Sequence, residues 1–233
     1  MWDKVEKALA YQEQDTAKAE NKTFEKLTVT NLAYQTSDQV IFKGVNFELN
    51  PGEKVLLMAP SGWGKTTLLR NLIGQLAPNQ GTVQIDNQSV NGYWSKAHQY
   101  FGYVNQKPFI FNRDLEFNLT LGQKFSPSEL QDAIEKSGLD ELVAQKGLSY
   151  QVGQAGSNLS GGQIQRVEIA RSLLAKRPIL LADEATSALD GPLSLKIHQT
   201  LLKNPEIAVI EVAHKISEEE KKLFDRVLIL GAD

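Results

Sequence analysis

The chain has 233 residues, of which 41% are hydrophobic and 23% charged, with a formal net charge of −3 at pH 7. That composition is ordinary for a globular protein, and the length supports a sizeable buried core in one large α/β domain or two small ones. The weak negative balance argues against nucleic-acid binding by bulk attraction, and the lack of any cysteine excludes a disulfide framework or a cysteine-ligated metal.

In chain order, residues 1–22 are rich in Ala, Glu, Gln and Lys and read as a polar helix or a frayed lead-in. β-like patterning begins at Leu27, Val29 and Leu32. Val45, Phe47 and Leu49 then alternate with polar residues, as in a half-buried strand. Asn50-Pro51-Gly52-Glu53 is a turn. The apolar run 54–59 reads as a buried strand, and residues 65–76 as a helix with Leu68, Leu69, Leu72 and Ile73 on one face. Val83 and Ile85 mark another strand.

Ser126-Pro127-Ser128-Glu129 is a capping box with proline in the first turn, so a helix starts there and stops near Gly138. The stretch from about 109 to 175 is helix-rich. Residues 179–182 and 207–213 are short apolar runs flanked by helices, the pattern of buried parallel strands. The longest apolar stretches fall far short of the roughly 20 residues of a membrane span, and no secretory signal pattern opens the chain. The sequence therefore reads as soluble, with any membrane role supplied by a partner or an attached segment.

Three motifs carry chemistry. Ala59-Pro60-Ser61-Gly62-Trp63-Gly64-Lys65-Thr66-Thr67 lies between a strand and a helix, the setting of a phosphate-binding loop. Its glycines let backbone N–H groups curl around phosphate oxygens, and the helix N-terminus adds its positive end. Lys65 would reach the outer phosphates, and the Thr66 hydroxyl would ligate Mg²⁺. The template usually opens with glycine where this chain has Ala59, which is tolerable at negative φ. The second motif is the strand end Ala182-Asp183-Glu184. Neighbours on a strand point to opposite sides, so Asp183 fits the metal and Glu184 the attacking water. In the third, Leu159-Ser160-Gly161-Gly162-Gln163, Ser160 and Gln163 form a capping box. Two consecutive glycines at that helix start point to a second anion-binding terminus.

With these residues in this order, residues 27–231 resemble the ABC ATPases. The resemblance implies an α/β P-loop NTPase fold with a RecA-like core, an antiparallel β subdomain and an inserted α-helical subdomain at about 107–175. The ATPase domain would span 24–233 and residues 1–23 would be a linker. By resemblance, Leu159-Ser160-Gly161-Gly162-Gln163 is the signature motif, followed by Gln165, Arg166, Ala170 and Arg171. Ser187-Ala188-Leu189-Asp190 is the D-loop, Gln106 the Q-loop glutamine that also approaches the metal, and His214 the switch histidine at the γ-phosphate. Tyr34 takes the place of the aromatic that stacks on adenine. His98 and His198 have no such context and read as surface residues. Trp63, where the family mostly has a small residue, reads as pointing outward.

The implied cofactors are ATP and Mg²⁺, with Glu184, His214, Gln106 and Lys65 as catalytic residues. The implied partners are a second ABC ATPase domain, identical or not, and a transmembrane domain fused upstream of Met1, with no nucleic acid. That places the domain on the cytoplasmic face of the cell membrane.

Phe109-Ile110-Phe111 with Asn118-Leu119, and Val152-Gly153-Gln154-Ala155-Gly156, resemble exporter-type sequences; the latter resembles the x-loop, with Gln154 in place of the usual acid. The end at Asp233 is abrupt for the family, which implies a fragment of a longer chain. A soluble ABC ATPase outside transport is the alternative. A module that binds nucleotide without hydrolysis conflicts with Glu184 and His214, and a small-molecule kinase leaves the signature unexplained.

Overall fold

A computed structural model of the chain describes residues 22–231. The lead-in read at residues 1–22 lies outside them apart from Lys22. Two sheets organise the described residues.

The first sheet is antiparallel. It holds β1 (Leu27–Gln35), β2 (Val40–Leu49), β4 (Gln80–Ile85) and β5 (Gln88–Ser89) in the order β2-β1-β4-β5. Val45, Phe47 and Leu49 are buried, as their alternation requires.

The second sheet has β3 (Lys54–Met58), β6 (Phe101–Val104), β7 (Ile179–Asp183), β8 (Ala208–Ala213) and β9 (Arg226–Ile229), in the order β6-β7-β8-β3-β9 with every pairing parallel. Every residue of β7 and β8 is buried, which explains their continuous apolar character. Successive side chains serve two cores. Val55, Leu57, Leu181 and Ile210 pack toward the antiparallel sheet and helix α1 (Lys65–Leu72). Leu56, Leu180, Ala182 and Val209 pack on the other face with Ile197 and Leu201 of α7 (Gly191–Leu202).

Helix α1 ends at Leu72, short of the expected 76. Gly74 takes φ 71° and Gln75 N–H donates to the Arg70 carbonyl, a left-handed C-terminal cap that stops the helix. The short α2 (Trp94–Ala97) precedes β6.

Between β6 and β7 lies the helical insertion: α3 (Leu115–Thr120), α4 (Pro127–Lys136), α5 (Asp140–Lys146) and α6 (Gly161–Leu174). It has an apolar cluster of its own, including Ile110, Leu115, Leu119, Ile134, Leu139 and Val167. Helix α4 starts on the expected box: Ser126 N–H donates to Glu129 Oε2 at 2.8 Å, and Glu129 N–H donates to Ser126 Oγ at 3.3 Å. The last helix is α8 (Glu218–Lys221). Among the described residues, no helix is long and apolar enough to cross a membrane.

The register places Met58 opposite Ala213 and Asp183 opposite Val212. The carboxyl ends of β3, β7 and β8 therefore lie side by side, the position at which open parallel sheets present their sites. Leu181 is fully buried on the central β7. Leu181→Ala should lower the unfolding free energy by about 2–5 kcal/mol in a denaturant titration. A loss below about 0.5 kcal/mol, the range of surface substitutions, would show that the core does not pack here.

Candidate active site

The loop leaving β3 turns into α1. Ala59 is buried and has no positive φ, so its methyl group is accommodated where the template has glycine. Gly64 cannot be replaced in this way: φ is 105°, and a Cβ would lie 2.3 Å from Ile41 Cγ2. The Lys65 ammonium folds back over the loop, donating to the carbonyls of Ala59 at 3.3 Å and Pro60 at 3.2 Å. Ser61 and Gly62 are exposed at the loop crest.

Thr66 Oγ1 donates to Asp183 Oδ2 at 2.7 Å, which joins α1 to the end of β7. Burial pushes the Asp183 carboxyl up from its ordinary range, opposed by bonds from Thr66 and from the Tyr103 hydroxyl. Two hard oxygen donors in contact suit a Mg²⁺ ion whose remaining ligands come from phosphate and water. Among the described residues, no group of three or more His, Cys, Asp or Glu could hold a metal ion.

Glu184 takes φ 52°, a left-handed conformation that costs a non-glycine residue about 1–3 kcal/mol and is found at functional sites. Its carboxylate accepts from Gln106 Nε2 at 2.7 Å and lies 3.9 Å from Lys65 Nζ. Asn105, next to Gln106, is held by Glu168 on α6, which also pairs with Arg171. Lys65, Thr66, Gln106, Asp183 and Glu184, separated widely in sequence, thus form one connected cluster.

His214 is exposed at the bend after β8 and shares with Glu184 a cavity of about 470 Å³. Sequence reasoning gave Gln165 no role of its own. It is buried on α6, donates to the Glu184 carbonyl at 2.9 Å and accepts from Ala188 N–H at 2.9 Å. It fixes the turn between Glu184 and the D-loop. The available signal was a polar side chain on the inner face of a core helix.

Ser160, Gly161, Gly162 and Gln163 stand apart from this cluster. The capping box forms, with Ser160 N–H donating to Gln163 Oε1 at 2.8 Å and Gln163 N–H to Ser160 Oγ at 3.2 Å. The two glycines differ. A Cβ at Gly162 would lie 3.2 Å from Leu189, whereas a Cβ at Gly161 would meet nothing within 4 Å. The helix start is packed on one side and open on the other.

A family profile described as ABC transporter matches residues 42–187. The chain belongs to that family. It is an ATP-binding and ATP-hydrolysing domain of the ABC type. It is 34% identical over 212 residues to the mitochondrial ATP-dependent permease MDL2 of Saccharomyces cerevisiae, an alignment covering 87% of this chain and 27% of that protein. With an ATP-dependent lipid A-core flippase of Burkholderia orbicola it is 36% identical over 203 residues, covering 85% and 34%. A bacterial Atm1-family ABC exporter solved with ATP bound superposes with a TM-score of 0.82 at 29% identity, over 97% of this chain and 42% of the other. The chain thus spans about a third or less of the length of these two sequence relatives.

Two expectations for this ABC domain need correction. Trp63 does not point outward. It is half-buried, stacks on Phe42 at 5.4 Å between centroids, and abuts Gly231, because β2 offers the phosphate loop an aromatic face. Tyr34 continues the same row, half-buried with its ring 6.4 Å from Phe42.

His198 is not a surface residue either: it is 1% exposed on α7. Its Nδ1 lies 3.0 Å from Glu220 Oε1 and its Nε2 3.0 Å from Glu211 Oε2. A strand acid, Glu211, provides the partner that makes burial tolerable. His98 is half-buried and stacks on Trp94.

Burial alone would depress the His198 imidazolium. Glu211 on β8 and the hydrogen bonds to Glu211 and Glu220 outweigh it and push the group from 6.5 to about 9. A raised folded-state value gives stability that is fully present below pH 6.5 and is lost as pH rises through about 9. One of the protein's three histidines should therefore keep its proton at pH 8 in a ring-proton NMR titration, and the thermal midpoint should fall between pH 6.5 and 9. Three rings all neutral at pH 8 would contradict this arrangement.

Proposed function

We propose that this chain is the ATP-driven motor domain of an exporter-type ABC transporter, acting as one of two such domains that close over shared nucleotides. The observation that carries the reading is the connected cluster of Lys65, Thr66, Gln106, Asp183 and Glu184, together with a separate glycine helix start that is open to solvent.

In this reading the amides of Ser61, Gly62, Trp63, Gly64, Lys65, Thr66 and Thr67, after Ala59 and Pro60, cradle the triphosphate at the N-terminus of α1. The Lys65 ammonium leaves its carbonyl contacts for the outer phosphates. Thr66, Asp183 and Gln106 would hold Mg²⁺ at this point, and the ion would supply positive charge to the transferring phosphoryl group. Glu184 accepts a proton from, or orients, the attacking water, and Gln106 holds the Glu184 carboxylate until the site is filled. His214 contacts the γ-phosphate. Tyr34 stacks on the base beside the Phe42–Trp63 pair. Ser160, Gly161 and Gly162 of the second domain, with Gln163 completing their cap, cover the γ-phosphate from its other side. Binding energy available only in the closed pair drives the closure, and hydrolysis reopens it.

In the same reading a membrane-spanning partner, attached upstream of Met1, places this domain at the cytoplasmic face; the exposed aromatic patch downstream of Gln106 is where that partner would dock. Phe109 is 69% and Phe111 41% exposed, in edge contact at 4.9 Å. Asn118 braces Phe111 through its N–H and C=O, and Arg171 donates to the Phe109 carbonyl at 2.7 Å. Such a firmly held apolar surface fits a helix of the transmembrane partner, and Gln106 lies close enough in sequence to sense its movement. Transport names among the relatives favour this over a soluble ATPase. The domain limits of 24–233, with the helical subdomain at about 107–175, follow from the same reading.

Glu184→Gln should leave ATP binding intact and lower turnover by about 10²–10⁴-fold in a steady-state assay; turnover near the parent rate would remove Glu184 from its role. Lys65→Ala should weaken ATP binding by about 10–100-fold in a titration, the loss of a charge-assisted bond. Unchanged affinity would remove the phosphate-loop assignment.

A further inference from the structure

His214 needs a fixed position to meet a γ-phosphate, yet its own segment supplies little. Neither His214 nor Lys215 nor Ile216 makes a backbone–backbone hydrogen bond to another described residue. The segment runs free between β8 and α8, and the histidine stands exposed on it. What holds the segment is at its two ends. Three residues before His214, Glu211 projects from β8 and is 3% exposed. Six residues after it, Glu220 sits in α8 and is 7% exposed. Both carboxylates meet at one side chain, His198, on opposite ring nitrogens at 3.0 Å each.

The rest of the cluster makes the clamp specific. Ser194 lies one helical turn before His198 on the same face of α7, and its hydroxyl donates to Glu220 Oε1. The other oxygen of Glu220 accepts from Ser217 N–H at 3.0 Å and from Ser217 Oγ at 2.6 Å, closing the cap of α8. The edge of the Phe224 ring seals the outer side of the imidazole. Helix α7 itself begins at Asp190, whose carboxylate caps Leu193 N–H, directly after the turn that starts at Glu184 and is braced by Gln165. A single buried imidazole therefore ties the helix leading out of the Glu184 turn to both ends of the His214 segment, across the cavity that the two share.

We propose that His198 is a positioning residue for ATP hydrolysis, setting His214 relative to Glu184 by clamping Glu211 and Glu220 onto α7. This rests on the reading of His214 as the γ-phosphate contact. A buried ion pair seldom adds net stability over an apolar substitute, so its value here lies in selecting one arrangement of the segment. A free-running segment would still bind ATP through the phosphate loop but would hold His214 at the wrong place, and misplacement by about 1 Å costs up to about 100-fold in rate.

The test is steady-state ATPase kinetics and thermal unfolding on the full chain. In the double variant His198→Gln with Glu211→Gln, an amide pair replaces the ion pair and leaves no carboxylate facing position 198 from β8. The expected result is a melting temperature close to the parent's, KM for ATP within about twofold, and kcat lower by about 10–100-fold. A kcat within about twofold of the parent overturns the proposal, as does a fall in kcat that comes only with a matching rise in KM and lost melting temperature. Should the double variant not fold, Ser194→Ala decides. It leaves all three charged groups in place and removes one hydroxyl, and it should lower kcat by about threefold at unchanged KM; unchanged kcat overturns the proposal. His214→Ala separates the two readings. If it abolishes turnover while the double variant turns over normally, positioning by His198 fails alone. If it turns over normally, the γ-phosphate reading beneath the proposal fails.

Discussion

The Thr66 hydroxyl reaches Asp183 over 2.7 Å because β3 and β7 both lie parallel to β8 and end at the same level. Everything else in the site hangs on that side-by-side alignment. A parallel sheet buried on both faces is rigid, and its strand ends bring the loop after β3 and the Asp183 and Glu184 carboxylates to one place without long side-chain reaches. The conformational cost is concentrated at one residue. Glu184 is held at φ 52°, and its N–H bond to the Val212 carbonyl and the Gln165 brace on its own carbonyl keep it there. The charges satisfy one another: Lys65 turns to carbonyls and toward Glu184, and Gln106 occupies the Glu184 carboxylate.

In the proposed pair, the helix that starts at Gly161 supplies the other half of the site. Gly162 lies close against Leu189 and the Ala188 carbonyl, where a Cβ would be a tight fit. Among the described residues, Gly161 faces open space. A helix N-terminus with free amides and no Cβ in front of it fits an anion brought by another molecule. The capping box holds that terminus ready through local bonds alone.

Most of the fold was legible because its strands carry unambiguous patterns. Residues 179–182 and 207–213 are apolar runs that only burial on both faces explains, and Ser126 with Glu129 announces a helix start in four residues. The phosphate loop and the Asp183-Glu184 pair were legible because their chemistry demands fixed residue types at adjacent positions. What could not be read depended on contacts distant in sequence. Helix α1 stops at Leu72 because Gly74 adopts a left-handed cap, while the apolar spacing alone would continue. Trp63 is drawn inward by Phe42, which lies on another sheet. His198 looked like an isolated polar residue on a helix because its partners, Glu211 and Glu220, are brought to it only by the packing of β8 and α8 against α7. A glutamate inside an otherwise apolar strand was the sign that it needed a buried polar partner.

The measurement that bears most directly on the account is a crystal structure of the Glu184→Gln protein grown with ATP and Mg²⁺. The account predicts the triphosphate along the amides of residues 61–66 with Lys65 Nζ at its outer phosphates. It also predicts a metal ion at the Thr66 hydroxyl and the Asp183 carboxylate, and Ser160 of a second domain against the γ-phosphate. A nucleotide bound away from Lys65, or a γ-phosphate with no Ser160 of a second domain against it, would contradict it.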